Sequence, residues 1–109
     1  MSRPAPDYQD VARTPDAVAA TRGWMLLDFG TEWCGHCIAA RAAVDAWLEP
    51  YPDIEHLRVE DASGRPLGRA YRVKLWPTLV LLRDGQEVAR VVRPRESRDL
   101  WPLQDALRP

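Results

Sequence analysis

Two cysteines separated by two residues follow an apolar segment, and this arrangement constrains the fold more than any other feature of the sequence. The segment Trp24–Phe29 is nearly continuous in apolar residues and has the length of a buried central strand. After it come Cys34, Gly35, His36 and Cys37, and from Cys34 onward the apolar residues follow a helical period. A Cys-x-x-Cys between a strand and a helix is typical of a reversible dithiol/disulfide switch, because a helix N-terminus stabilises a thiolate.

The chain has no other cysteine, which narrows what this pair can do. A structural disulfide across two residues closes almost no loop and adds little stability. A closed zinc site needs four N or S ligands, and beyond the two thiols the chain offers only His36 and His56. Covalent haem attachment needs a histidine where Ile38 stands. Two inert buried thiols remain an alternative, but the pattern favours redox chemistry with no metal and no cofactor.

Length and charge limit the other function classes. At 109 residues, with 46% hydrophobic and 28% charged residues, we expect one globular domain over residues 8–109 behind a flexible N-terminal arm over residues 1–7. A net charge of −1 gives no field that favours nucleic acid or an anionic membrane. The N-terminus lacks the apolar core of a secretory signal, and no apolar run has membrane-spanning length. We expect a cytoplasmic monomer, where a lone Cys-x-x-Cys is more often catalytic than structural.

The order of predicted elements indicates a mixed sheet between helices. Helices are predicted from a cap at Thr14 to Ala20, from Cys34 to near Pro50, over 67–71, and through 100–107 with Pro102 in the first turn or at a kink. Strands are predicted over 24–29, 54–60, 78–83 and 87–92, with a hairpin turn at Asp84-Gly85 and a short edge strand from Tyr8 to Ala12. This order predicts an α/β fold with helices on both faces of a central mixed sheet.

Several motifs together carry a resemblance to a known family. They are Leu27-Asp28-Phe29, the run from Glu32 through Trp33 to Cys37, Trp76-Pro77-Thr78 at the start of a strand, and Asp84-Gly85 in the hairpin. From about Tyr8 to Leu107 the chain resembles the thioredoxin family. The resemblance implies the thioredoxin fold, with Cys34 as the nucleophile, Cys37 as the resolving thiol and the two as the redox-active disulfide.

Two further residues receive catalytic roles from the resemblance. Asp28 lies in a segment that should be buried, where an unpaired carboxylate is costly. The family's matching acid lies beneath the cysteines and relays protons to the resolving thiol; the alternative is a solvent-exposed acid at a strand end. His36 stands where plain thioredoxins usually carry proline and resembles protein disulfide isomerase. An imidazolium beside a thiolate would set the potential between roughly −270 and −180 mV, unless His36 is a solvated bystander.

The resemblance also implies a substrate-binding surface around the dithiol. Pro77 matches the family's cis-proline, and the backbone of the preceding Trp76 would pair with an extended substrate segment. Trp33 and Trp76 would flank the cysteines as an apolar docking surface, or be ordinary partly buried aromatics. Gly35 and Arg93 complete the predicted substrate-binding set.

Four positions depart from the family pattern. Gly30 stands where an aromatic residue is common, Ala42 where a proline often kinks the active-site helix, and Arg93 near a glycine that lets substrate backbone approach. A family lysine near the acid could correspond to Arg58, although the sequence leaves the register ambiguous. These departures leave the redox chemistry intact and argue against a housekeeping substrate range.

The sequence therefore predicts a thiol-disulfide oxidoreductase that reduces or isomerises disulfides in protein substrates. Its upstream electron donor would be a thioredoxin-reductase-like protein or glutathione. The alternative is a non-catalytic binding module that holds one partner in the groove near Trp33, Trp76 and Pro77. The presence of both cysteines favours the enzyme, since a pure binder does not need them.

Overall fold

A computed structural model describes residues 7–8, 13–61 and 65–108. The predicted arm over residues 1–7 and the predicted edge strand from Tyr8 to Ala12 lie mostly outside these ranges and stay predictions. Of that stretch the structure describes Asp7 and Tyr8, and neither is in a strand.

The described residues form a four-stranded sheet with helices on both faces. Its strand order is β2-β1-β3-β4, with β1 and β2 parallel and the other two pairs antiparallel. The elements are α1 (Pro15–Ala19), β1 (Trp24–Gly30), α2 (Gly35–Leu48), β2 (Glu55–Glu60), α3 (Pro66–Ala70), β3 (Thr78–Arg83), β4 (Gln86–Val92), a 3₁₀ turn (Ser97–Leu100) and α4 (Trp101–Ala106). The predicted fold class is confirmed, and the observed boundaries of these elements lie within a few residues of the predicted ones.

Local signals explain where the helices begin. The Thr14 hydroxyl accepts a hydrogen bond from the Ala17 N–H at 3.1 Å, which caps α1. Pro102 lies in the first turn of α4, where its missing N–H costs nothing. The longest helix, α2, runs for 14 residues without a break at Ala42. No helix within the described ranges is long and apolar enough to cross a membrane.

The core lies on both faces of the sheet. Leu26 of β1 packs beneath α2 and α4, whereas its neighbours Met25, Leu27 and Phe29 pack on the opposite face with residues of α1 and α3. Because successive side chains of a strand alternate between faces, Asp28 lies on the same face as Leu26. The acid is therefore buried on the side of the sheet that α2 covers.

Candidate active site

Three chain segments bring the predicted site residues to one end of the sheet. Phe29, one residue before the end of β1, pairs with Thr78 at the start of β3, and Thr78 pairs with Val92 at the end of β4. The loop into α2, the Trp76–Pro77 peptide and the residue after β4 therefore meet at this edge. The topology thus unites Cys34, Trp76 and Arg93, which are far apart in sequence.

Cys34 is the N-cap residue of α2 and is partly exposed. Burial works to raise the pKa of its thiol, but hydrogen bonds from the Cys37 N–H, the Cys37 thiol and the His36 N–H lower the pKa below its ordinary value. The positive charge of Arg93 acts in the same direction. Cys34 is therefore the thiol of the pair that ionises more easily.

Cys37 lies one turn inside α2 with 2% of its surface exposed. Burial raises the pKa of its thiol to about 11, and the nearby Cys34 adds to the effect. A hydrogen bond from the Thr31 N–H and the hydrogen bond shared with the Tyr8 hydroxyl act in the opposite direction. Both cysteines are free thiols in this structure, so the geometry is that of the reduced pair.

Asp28 is buried, as predicted, but it is not unpaired. Its Oδ2 accepts hydrogen bonds from Arg58 Nε at 2.9 Å and contacts His56 Nε2 at 3.2 Å. Its Oδ1 accepts a hydrogen bond from the Tyr8 hydroxyl at 2.9 Å. The expectation of a costly isolated carboxylate is corrected, because strand pairing places Arg58 directly beside Asp28.

Arg58 is itself a buried charge, and among the described residues Asp28 and Asp45 are acidic partners of its guanidinium. Besides Asp28, its guanidinium contacts Asp45 Oδ1 at 3.0 Å, and 34% of the Asp45 side chain is exposed. Burial works to lower the pKa of Arg58, but the two carboxylates raise it, so the side chain stays charged. The register that the sequence left ambiguous is therefore settled, since Arg58 occupies the position beside the acid.

No motif in the sequence predicts a role for Tyr8 or His56 in this site. His56 and Arg58 are two residues apart on β2, so their side chains lie on one face, and this spacing was a signal that could have been used. Tyr8 belongs to a segment 20 residues before Asp28. No local pattern in the sequence links the two residues.

Two tryptophans form the exposed surface beside the dithiol. Trp33 is 73% exposed, and its ring packs edge-to-face against Trp76 with centroids 5.6 Å apart. The Trp76 indole N–H donates to Asp61 Oδ2 at 2.8 Å, and the Trp76–Pro77 peptide is cis. Gly35 is exposed, with open space where a side chain would project.

Arg93 occupies the rim of this surface in a conformation that favours glycine. Its φ is 55°, in the left-handed region. Its side-chain Nε donates to the Trp76 carbonyl oxygen at 2.8 Å, which covers part of the backbone that was predicted to pair with substrate. Arg93 also lines a shallow pocket with His36 and Arg95.

This arrangement can carry out thiol-disulfide exchange. It combines a partly exposed thiol of lowered pKa, a shielded second thiol and a buried carboxylate hydrogen-bonded through Tyr8 toward that second thiol. Within the described ranges, no group of three or more His, Cys, Asp or Glu side chains could hold a metal ion.

Comparisons with known proteins agree with the fold. The thioredoxin family model matches residues 9–105. Thioredoxin from Chlamydia trachomatis is 37% identical over 89 residues, covering 81% of this chain and 84% of that protein. Reduced thioredoxin 2 from Pseudomonas aeruginosa is 47% identical with a TM-score of 0.83, covering 94% of each chain. Fasciola hepatica thioredoxin is 25% identical with a TM-score of 0.68, covering 82% of this chain and 85% of that one. The chain therefore belongs to the thioredoxin family and is a thiol-disulfide oxidoreductase.

Proposed function

We propose that this oxidoreductase reduces or isomerises disulfides in protein partners through a mixed disulfide on Cys34. The observation that carries the proposal is the contrast between the two thiols. Cys34 is partly exposed and its pKa is lowered, whereas Cys37 is buried and its pKa is raised to about 11. Only a thiolate attacks a disulfide, so Cys34 reacts first and Cys37 stays protonated until the mixed disulfide has formed.

The cycle has two exchange steps. The Cys34 thiolate attacks one sulfur of the partner disulfide, and the other partner sulfur leaves as a thiolate. Cys37 then attacks the Cys34 sulfur, the Cys34–partner bond breaks, and the second partner sulfur leaves with its electron pair. We assign to Asp28 the proton that Cys37 loses, because Asp28 is the buried carboxylate reached through the Tyr8 hydroxyl. In isomerisation, a partner thiolate displaces Cys34 instead, and the enzyme ends reduced.

The partner would dock on the aromatic surface of Trp33 and Trp76. The exposed Trp33 ring offers apolar contact area, and the cis Trp76–Pro77 peptide lies at the same end of the sheet as the dithiol. Arg93 holds the Trp76 carbonyl, so an extended partner segment must displace its guanidinium or bind around it. This contact supports a substrate range narrower than that of a housekeeping reductase.

Family membership suggests the reductant of this protein, and His36 bears on its reduction potential. Thioredoxins are usually reduced by thioredoxin reductase, and we propose a reductant of that type, or glutathione, for this chain. The isomerase-like His36 supports a potential between roughly −270 and −180 mV. We propose that the protein acts as a monomer in the cytoplasm, where such a reductant keeps the dithiol reduced.

Insulin, a protein with accessible disulfides, tests the proposal. Cys37→Ser should form a covalent adduct with insulin that dithiothreitol releases, because Cys34 attacks and no resolving thiol follows. Cys34→Ser, the matched control, should form none. Equal trapping by both variants would reverse or abolish the assigned roles. Failure of the wild-type protein to speed insulin reduction by dithiothreitol would favour the non-catalytic binding module.

A further inference from the structure

The Tyr8 hydroxyl lies between the two groups that must exchange a proton when the mixed disulfide is resolved. It donates to Asp28 Oδ1 at 2.9 Å, and its oxygen is hydrogen-bonded with the Cys37 thiol. An ionised carboxylate only accepts hydrogen bonds, so the single hydroxyl proton points to Asp28. Once Cys34 is bonded to the partner, it is no longer a thiolate that accepts the Cys37 proton, so the S–H of Cys37 is then free to donate to the Tyr8 oxygen. The three groups form a directed chain from Cys37 through Tyr8 to Asp28.

Gly30 makes room for this chain. A Cβ at position 30 would overlap Cys37 Sγ and lie 2.8 Å from the Tyr8 hydroxyl oxygen. Any larger side chain there would separate the hydroxyl from the thiol. The glycine that departs from the family pattern and the tyrosine that enters the site are therefore complementary.

Tyr8 is held in this position from several sides. Its backbone N–H donates to Glu32 Oε1 at 2.6 Å. The guanidinium groups of Arg58 and Arg41 lie 5.7 and 5.8 Å from the centroid of its ring. The residue is 8% exposed, and its hydroxyl is shielded from competing solvent. A group held this rigidly can transfer a proton without first reorganising.

We propose that Tyr8 is the proton relay of the resolving step. As Cys37 sulfur attacks Cys34 sulfur, the Cys37 proton passes to the Tyr8 oxygen while the Tyr8 proton passes to Asp28 Oδ1. The Cys34–Cys37 bond forms, the Cys34–partner bond breaks, and the partner sulfur leaves with the electron pair. Tyr8 is neutral before and after the step, and the proton ends on Asp28. The proposal rests on the proposed function, since it requires the mixed disulfide.

The electrostatic surroundings agree with a relay that is never an anion. Burial, the charge of Asp28 and the neighbouring Cys37 all raise the pKa of Tyr8, so a free tyrosinate is disfavoured. Arg58 and His56 both contact Oδ2 of Asp28, which leaves Oδ1 to the hydroxyl. Among the described residues, the titratable and charged groups that face the relay are Cys34, Cys37 and Arg41 from the α2 side, His56 and Arg58 from β2, Asp28 from β1, and Glu32 from the loop.

Stopped-flow mixing of the reduced protein with the disulfide of thionitrobenzoate separates the two exchange steps. Attack by Cys34 releases the first coloured thiolate, and resolution by Cys37 releases the second. In Tyr8→Phe the first phase should match the wild type, and the second should slow by roughly tenfold or more at neutral pH. This deficit should shrink as pH rises toward 11, the approximate pKa of Cys37, because an ionised thiol needs no proton acceptor.

Tyr51→Phe is the matched control, because it also removes a tyrosine hydroxyl that donates a hydrogen bond, in this case to Gln104 of α4. Tyr51 follows the C-terminal end of α2, whereas the dithiol lies at its N-terminal end. The rates of both phases in Tyr51→Phe should equal those of the wild type. A Tyr8→Phe second phase that is unchanged, or slowed equally at every pH, would overturn the relay. If wild-type protein releases only the first thiolate, the proposed function itself fails.

The wild-type protein gives a second measurement that does not depend on the folding of a variant. A proton in transit should make the second phase slower in deuterium oxide than in water, whereas the first phase, an attack by a preformed thiolate, should not slow. Equal rates of the second phase in the two solvents would show that no proton moves during resolution and would overturn the proposal.

Discussion

Replacing Asp28 by asparagine should destabilise the fold, because it removes a buried carboxylate that pairs with the buried Arg58 charge. The two side chains are 2.9 Å apart, with exposures of 2% and 1%. Removing one member of a buried ion pair typically costs about 3–5 kcal/mol. Arg58 keeps Asp45 at 3.0 Å, so we expect the lower end, about 3 kcal/mol. For a domain of this size, that corresponds to a fall in Tm of roughly 12–24 °C.

Chemical unfolding of the reduced proteins, followed by far-ultraviolet circular dichroism, measures this cost. Asp45→Asn is the matched control, since it removes the partly exposed partner of the same guanidinium and should cost no more than about 1 kcal/mol. Arg58→Met with Asp28→Leu should be closer to the wild type than either single variant, because an apolar pair needs no compensating charge.

The double-mutant cycle tests whether the two charges depend on each other. Because the double variant should be closer to the wild type than either single variant, the coupling energy should reach about 3 kcal/mol, the upper end of the range for side chains in direct contact. If Asp28→Asn unfolds within about 0.5 kcal/mol of the wild type, as a substitution at an ordinary surface site would, the buried pair does not act as described. Additive effects of the two substitutions would lead to the same conclusion.

Two further predictions concern the redox poise. His36→Pro removes both the imidazole and the backbone N–H that lowers the pKa of Cys34, so it should raise the pKa of Cys34. The reduction potential of the dithiol should then shift in the reducing direction by up to about 30 mV, or 1.4 kcal/mol. His36→Gln keeps the backbone N–H, so it shows the effect of the imidazole alone. For each variant, thiolate absorbance against pH gives the Cys34 pKa, and equilibration with glutathione gives the reduction potential. If both quantities equal those of the wild type in both variants, His36 is a bystander. Arg93→Gly should raise the pKa of Cys34, relieve the left-handed backbone and speed insulin reduction by uncovering the Trp76 carbonyl. Arg93→Lys, which keeps the charge, is its control, and an unchanged Cys34 pKa in the glycine variant would contradict the assignment.

Much of the fold could be predicted because its signals are local. Thr14 and Pro15 mark the start of a helix through capping chemistry, and an apolar run such as Trp24–Phe29 marks a strand buried on both faces. The position of Cys34 at the start of α2 follows from the change of period along the chain. These properties depend on neighbours within a few residues, so the sequence alone determined the elements and the dithiol they present.

Only the tertiary structure decided the surroundings of Asp28. The parallel register of β1 and β2 places Arg58 beside it, and Tyr8 reaches it from 20 residues earlier in the chain. The contact between Arg93 and the Trp76 carbonyl likewise joins segments 17 residues apart. Register and long-range docking depend on how both faces of the sheet pack, which no local window of sequence contains. The chemistry of the dithiol could therefore be predicted from the sequence, whereas the groups that take up its proton and neutralise its charges were determined by tertiary packing.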